Sequence, residues 1–211
     1  MSIIVERFNK IKSNINKDVN IIAISKTFTF EHIKPLLDIG HNHFGENKVQ
    51  EADMKWSNHK KSNKNLSLHM VGKLQSNKSK KAVELFDYIH SLDNQKLAIS
   101  LSRFELKLKK NLKYFIQVNV GLESQKSGIL PNLLDDFYSF CTKELNLNIV
   151  GLMAIPPNDG KEDNYFKYLY EANASLGLKE MSLGMSGDYL KAIKYKSTFV
   201  RIGSSIFGKR F

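Results

Sequence analysis

The first apolar run of the chain reads Val19-Asn20-Ile21-Ile22-Ala23-Ile24 and is followed directly by Ser25-Lys26-Thr27. Its β-branched residues and short length predict a buried strand, and the polar residues after it predict a turn. A helix-compatible stretch, Phe30 to Asp38, comes next. A short strand, a polar end and an amphipathic helix together predict one βα unit.

The same unit recurs along the rest of the chain. Further predicted strands are His41–Phe44, Ser67–Val71, Tyr88–Ser91, Tyr114–Val120, Ile149–Met153, Glu180–Leu183 and Thr198–Ile202. Further helix-like segments are Lys48–Trp56, Ser76–Phe86, Asn94–Lys110, Leu130–Leu145, Asp163–Leu176 and Gly187–Lys194. Strict alternation predicts an α/β fold with parallel strands and right-handed crossovers. About eight strands favour a single (β/α)8 TIM barrel over an open doubly wound sheet.

Composition describes an ordinary globular chain. The 211 residues are 42% apolar and 25% charged, which excludes disordered, collagen-like and disulfide-framework proteins. No linker, charge block or close repeat divides the sequence, so we expect one domain, residues 1–211. Cys141 is the single cysteine and lies in an apolar setting, which predicts a buried thiol and a reducing compartment.

Charge and apolar runs bear on partners and location. The formal net charge is +11, carried almost entirely by Lys that is spread along the chain. Base readout favours Arg, so this pattern indicates a solvated surface and we expect no specific nucleic-acid binding. No apolar stretch is long enough to span a bilayer, and the first residues lack a signal-peptide core. We therefore expect no membrane partner and a cytoplasmic protein.

Lys26 is the first candidate site residue. The barrel architecture predicts that chemistry lies at the carboxyl ends of the strands, which is where Lys26 follows its apolar run. A solvated strand-end charge is the alternative interpretation, because Lys is abundant in this chain. A lysine held in a partly desolvated barrel mouth would instead have a lowered pKa, as Schiff-base chemistry with an aldehyde requires.

The last two predicted strands carry a complementary signal. Gly184-Met185-Ser186-Gly187-Asp188 and Gly203-Ser204-Ser205-Ile206-Phe207-Gly208 are both Gly/Ser-rich turns. Backbone N–H groups and hydroxyls converge in such turns, and barrels commonly bind phosphate at their last strands, although ordinary turns are the alternative. Arg201 lies between Val200 and Ile202 in an apolar strand, and therefore needs a partner.

The partner of Arg201 is either a carboxylate in a buried salt bridge or an anionic or heteroaromatic ligand group. A Schiff-base lysine, a phosphate cup and a buried arginine together predict a pyridoxal phosphate site. A metal site is not expected, because His41 and His43 lack further ligands at suitable spacing.

These motifs, taken in order, resemble one known family. They are Ala23–Thr27, Phe44–Glu51, Gly72–Lys78, Gln117–Val120 with Lys126–Gly128, Gly151–Pro156, Leu183–Tyr189 and Val200–Gly208. Over nearly the whole chain they are similar to the pyridoxal phosphate homeostasis (YggS-like) proteins, which resemble the amino-terminal barrel of alanine racemase without its second domain. The resemblance implies the same barrel here, with pyridoxal 5'-phosphate as cofactor.

Carried over residue by residue, the resemblance implies that Lys26 holds the cofactor as a Schiff base. It also implies that Arg201 faces the pyridine nitrogen and that Asn47 lines the pocket near the ring. The residues implied to hold the phosphate are Ser186, Gly187, Gly203 and Ser204. Glu46, Glu123 and Lys126 are weaker candidates for a polar network beside the mouth.

The function implied by the resemblance is intracellular pyridoxal phosphate homeostasis: binding, buffering or delivering the cofactor without evident catalysis. Apoenzymes that use the cofactor are candidate recipients, and the missing second domain indicates a monomer. The alternative is a low-activity amino-acid racemase or lyase, which needs a second acid/base group that the sequence does not place opposite Lys26.

Overall fold

The computed structural model describes residues 2–208; Met1 and residues 209–211 of the predicted 1–211 domain lie outside this range. Within it, eight parallel strands close into a barrel in chain order. The strands are β1 (Asn20–Ile24), β2 (His43–Glu46), β3 (Ser67–Met70), β4 (Tyr88–Leu92), β5 (Lys113–Gln117), β6 (Ile149–Met153), β7 (Glu180–Met185) and β8 (Phe199–Ile202). The predicted TIM barrel is confirmed.

Helices of the described range alternate with these strands. They are α1 (Ile3–Ser13), α2 (Phe30–Asp38), α3 (Val49–Ser62), α4 (Ser79–Leu85), α5 (Gln95–Leu108), α6 (Leu134–Ser139), α7 (Glu162–Ser175), α8 (Tyr189–Lys194) and α9 (Ser204–Phe207). None of them is long and apolar enough to cross a membrane.

Alternation along β1 divides the core into two layers. Ile22 and Ile24 pack with Phe115, Met153 and Phe199 from β5, β6 and β8, which places them in the barrel interior. The intervening side chains of β1 belong to the larger cluster between the strands and the helices. Successive side chains of a strand point to opposite faces, so this alternation determines which side chains of β1 face the barrel interior.

Some predicted boundaries were wrong. The predicted helix Leu130–Leu145 is a 3₁₀ turn followed by α6 and a π-helical segment, Phe140–Glu144. Neither α1 nor α9 was predicted from the sequence. β5 ends at Gln117, and Val118 forms an isolated bridge to Ile129 outside the strand.

Cys141 is buried, as predicted. Burial raises the pKa of its thiol to about 12, because the apolar surroundings disfavour the thiolate. The thiolate is the form that attacks a disulfide reagent, so we expect no reaction of the native protein with an aromatic disulfide reagent near about pH 8. One equivalent should react after unfolding in denaturant. Rapid reaction of the folded protein would contradict this expectation.

Candidate active site

A cavity of about 410 Å³ opens at the carboxyl ends of the strands. It is lined by Ile24, Lys26, Asn47, Val71, Gly72, Ile155, Met185, Ser186, Gly187, Arg201, Gly203 and Ser204. All seven residues predicted for a cofactor site are among them. The structure therefore brings these residues together, whereas their role in binding a cofactor stays a prediction.

Lys26 lies in the tight turn that follows β1. The next residue, Thr27, has a left-handed backbone with φ of 70°, which is costly for a β-branched residue unless its surroundings hold it. The Thr27 N–H donates to Glu51 on α3, and Lys55 Nζ donates to the Ser25 carbonyl at 2.7 Å. The turn that carries Lys26 is thus held on both sides by α3.

A buried ion pair between Glu46 and Lys55 supports the turn that carries Lys26. Glu46 at the end of β2 is fully buried, and the Lys55 side chain is 7% exposed. Glu46 Oε1 accepts from Lys55 Nζ at 2.8 Å, from Ser25 Oγ at 2.7 Å and from Trp56 Nε1 at 3.0 Å. The weak prediction of a polar network at Glu46 therefore finds partners that the sequence did not suggest.

The sequence contained one signal for these partners. Glu51 and Lys55 are four residues apart on α3, which places them on one helix face, and they are 3.2 Å apart. The same spacing is common on solvated helices, so it did not indicate that Lys55 is buried against Glu46.

Arg201 projects from β8 and is 5% exposed. Its Nη1 donates to the Ser182 carbonyl at 2.6 Å and to Ser182 Oγ at 2.7 Å, and its Nη2 donates to the Ala154 carbonyl at 2.8 Å. No carboxylate of residues 2–208 forms an ion pair with it, so the salt-bridge alternative is wrong. Burial lowers its pKa to about 10, with Asp188 acting in the opposite direction.

The guanidinium of Arg201 retains donor capacity. An arginine carries about five N–H donors, and neutral oxygens accept only some of them here. A buried cation held by neutral groups favours an electron-rich ligand atom at the cavity.

The turns after β7 and β8 also line the cavity. Ser204 Oγ donates to Ser186 Oγ at 3.3 Å, and the Ser205 N–H lies 3.5 Å from the same oxygen. Gly187 has nothing within 4 Å of the position a Cβ would take, and its φ lies outside the left-handed region. Neither backbone conformation nor packing within the described chain therefore requires glycine at this position.

Asn47 approaches the cavity from the end of β2. A Cβ on Gly72 would lie 2.4 Å from the Asn47 carbonyl oxygen, so glycine permits this close approach. Asn47 Oδ1 is buried and has no hydrogen-bond partner among the described residues. A buried polar atom without a partner at a cavity wall is a candidate ligand contact.

Other predicted candidates lie elsewhere. His69 and Met153 near the ends of β3 and β6 are buried and do not line this cavity. Glu123 and Lys126 form an ion pair beside an adjoining cavity of about 330 Å³. Across the described range, no group of three His, Cys, Asp or Glu residues has metal-binding geometry.

A larger cavity of about 650 Å³ lies at the opposite end of the barrel, between α1 and the first residues of β1 and β2. We place the site at the smaller cavity, because it combines a lysine, a buried arginine and two hydroxyl-bearing turns.

Comparison with known proteins gives a consistent result. Residues 2–210 match the family model of the alanine racemase N-terminal domain. Pyridoxal phosphate homeostasis proteins of Pasteurella multocida and Escherichia coli are 38% and 36% identical, over 91% and 92% of this chain and 87% of each relative. The structure of PipY from Synechococcus elongatus with PLP bound superposes with a TM-score of 0.89 at 34% identity, covering 97% of this chain and 100% of PipY.

Alanine racemase itself is a more distant likeness. The enzyme of Clostridium difficile has a TM-score of 0.74 at 14% identity, and this chain covers 55% of its length, which shows a shared barrel fold. The family-model match and the curated relatives show that this chain belongs to the alanine racemase N-terminal domain family and, within it, to the pyridoxal phosphate homeostasis proteins.

Proposed function

We propose that the chain binds pyridoxal 5'-phosphate in the cavity at the carboxyl ends of the strands and serves intracellular homeostasis of this cofactor. The observation that carries the proposal is the convergence of Lys26, Arg201 and the two Gly/Ser turns on one cavity. The names of the relatives and the PLP-bound structure of PipY support it.

The residues present fit the cofactor. The open space at Gly187, beside the hydroxyls of Ser186 and Ser204, suits a phosphate group. Arg201 would donate to the pyridine nitrogen, and the unpartnered Asn47 Oδ1 would contact the ring substituents. When bound, the cofactor would supply a reactive aldehyde, and the Lys26 amine would hold it covalently.

The lining of the cavity favours a carrier over a catalyst. Lys26 and Arg201 are the titratable side chains among its described lining residues. Racemisation requires acid/base groups on both faces of the substrate, and Lys26 supplies one. The positive charge of Arg201 also disfavours a protonated pyridine nitrogen, which weakens the electron-withdrawing power of the ring. A low-activity racemase or lyase stays the alternative.

Further parts of the proposal come from the sequence: a cytoplasmic location, a monomeric state and cofactor-dependent apoenzymes as recipients. Each has a direct measurement: fractionation of cells, sedimentation of the purified protein, and reactivation of a defined apoenzyme by the loaded protein.

The test of the proposed function is a visible absorbance spectrum with added pyridoxal phosphate, followed by borohydride reduction and peptide mapping. We expect a band that borohydride removes, an adduct on Lys26, and loss of both in Lys26→Ala. Lys73→Ala is the matched control, because Lys73 lies in the adjoining cavity and not in this one. Adducts scattered over surface lysines, with Lys26→Ala unchanged, would contradict the proposal. Exchange of amino-acid α-protons by the loaded protein would favour the racemase alternative.

A further inference from the structure

A line of hydrogen bonds runs from Arg201 through the barrel interior to its opposite end. Ser182 Oγ lies 2.7 Å from Arg201 Nη1 and 2.9 Å from His90 Nδ1. His90 Nε2 lies 3.0 Å from His69 Nδ1. His69 Nε2 in turn lies 2.9 Å from His43 Nδ1. We call His43, His69 and His90 the histidine relay.

The charge of Arg201 sets the direction of every hydrogen bond in this line. Arginine only donates, so Ser182 Oγ accepts from it. His90 Nδ1 is the other partner of this hydroxyl among the described residues, so the hydroxyl proton is satisfied only when it is donated to His90 Nδ1. His90 is then protonated on Nε2 and donates to His69 Nδ1. His69 likewise donates from Nε2 to His43 Nδ1. This arrangement satisfies all of these contacts with neutral rings, whereas the reverse one would leave the Ser182 hydroxyl proton without an acceptor among the described residues.

The surroundings of the relay hold this arrangement. His69 and His90 are fully buried, and burial lowers their pKa values well below the usual range, so both stay neutral. His90 stacks on Phe115 at 4.3 Å between ring centroids, and His69 stacks on Tyr88 at 4.4 Å. The rings are therefore fixed in position as well as in protonation.

Packing alone does not account for a histidine at position 90. A phenylalanine would stack on Phe115 equally well and would bring no polar atoms into the barrel interior. Histidine adds an acceptor for the Ser182 hydroxyl proton, which leaves the oxygen lone pair turned toward Arg201.

We propose that His90 is a positioning residue for Arg201 and acts through the Ser182 hydroxyl. His69 and His43 fix the protonation of His90 through the hydrogen bonds of the relay. This inference rests on the proposed function, because it assigns the relay the task of holding the guanidinium where the cofactor ring would bind. Without an acceptor at position 90, the Ser182 hydroxyl proton has no partner among the described residues, so the orientation of the hydroxyl toward Arg201 is no longer fixed.

The first test uses the protein without cofactor. Nitrogen NMR of isotope-labelled histidine should show neutral rings protonated on Nε2 for His69 and His90. NMR of labelled arginine should show separate, slowly exchanging guanidinium N–H signals for Arg201. We expect these signals to broaden and merge in His90→Phe and in Ser182→Ala. They should stay separate in His90→Asn, whose Oδ1 takes the place of Nδ1.

The second test is a double-mutant cycle on the dissociation constant of pyridoxal phosphate. We expect His90→Phe and Ser182→Ala each to weaken binding by about fivefold to tenfold, the worth of one hydrogen bond. The double variant should be no weaker than either single variant, and His90→Asn should recover most of the affinity. Tyr88→Phe is the control, since it keeps the ring stacked on His69 and lies outside the line of hydrogen bonds.

Three results would overturn the inference: additive effects in the cycle, His90→Asn as weak as His90→Phe, or Arg201 signals that do not respond to either change. Failure of the proposed function would look different. In that case the wild-type protein would not bind pyridoxal phosphate, whereas the Arg201 signals of the cofactor-free variants would still report on the relay.

Discussion

Replacing Lys55 by methionine is expected to lower the free energy of unfolding by about 3–5 kcal/mol. Methionine has a similar volume but cannot neutralise Glu46, which is fully buried at the end of β2. The carboxylate would keep Ser25 and Trp56 as donors through Oε1, while Oε2 has no partner among the described residues. An uncompensated buried charge is the reason for the large loss.

The measurement is urea unfolding followed by circular dichroism, with Trp56, the single tryptophan, as a local fluorescent probe. Lys34→Met is the matched control, because its ion pair with Asp38 is exposed to solvent and should contribute little to stability. Adding Glu46→Gln to Lys55→Met removes the charge and keeps an acceptor, so we expect it to recover more than half of the loss. A loss in Lys55→Met no larger than in the control would refute this role.

The same network links stability to the site. Lys55 holds the Ser25 carbonyl and Glu51 holds the Thr27 N–H, on either side of Lys26. Because Thr27 has a left-handed backbone, the turn depends on these contacts. The buried pair is therefore part of what presents Lys26 to the cavity.

Elements with strong local patterns were predicted with their observed bounds. Phe30–Asp38 begins after Thr29, whose hydroxyl accepts from the His32 N–H, and Ile149–Met153 is a short apolar run. The helix α1 was missed because its first residues, Ile3-Ile4-Val5, are β-branched and disfavour helix by propensity. Burial of Ile4, Val5, Phe8 and Ile11 at helical spacing decides the outcome.

The candidate site likewise contains residues that the sequence predicted and residues that it did not. Lys26, Arg201 and the Gly/Ser turns follow or lie in predicted strands, so the barrel rule alone placed them at one end. Their supports could not be found in this way. His90 and Ser182 are 92 residues apart and Lys55 and Ser25 are 30 apart, and these contacts exist only once the barrel has closed. A single sequence does not show which of such distant positions come into contact.

Gly187→Val is expected to weaken binding of pyridoxal phosphate by about a hundredfold or more while changing the free energy of unfolding by less than about 0.5 kcal/mol. The position has open space where a side chain would lie, and its backbone suits any residue. A valine there would fill the space beside Ser186 and Ser204 that the phosphate is proposed to occupy. A doubly charged group would then lose at least two charge-assisted hydrogen bonds.

Gly184→Ala, three residues earlier near the end of β7, gives the opposite expectation. Gly184 has φ of 88°, and its Cβ would lie 2.7 Å from Ala192 Cβ, so alanine should cost about 1–3 kcal/mol of stability. Gly187→Ala should weaken binding less than valine, since its side chain is smaller. The measurements are equilibrium titration by absorbance and urea unfolding of each variant. Normal affinity in Gly187→Val would show that the phosphate does not bind at this turn. The ligand would then have to contact Lys26 and Arg201 in a different orientation.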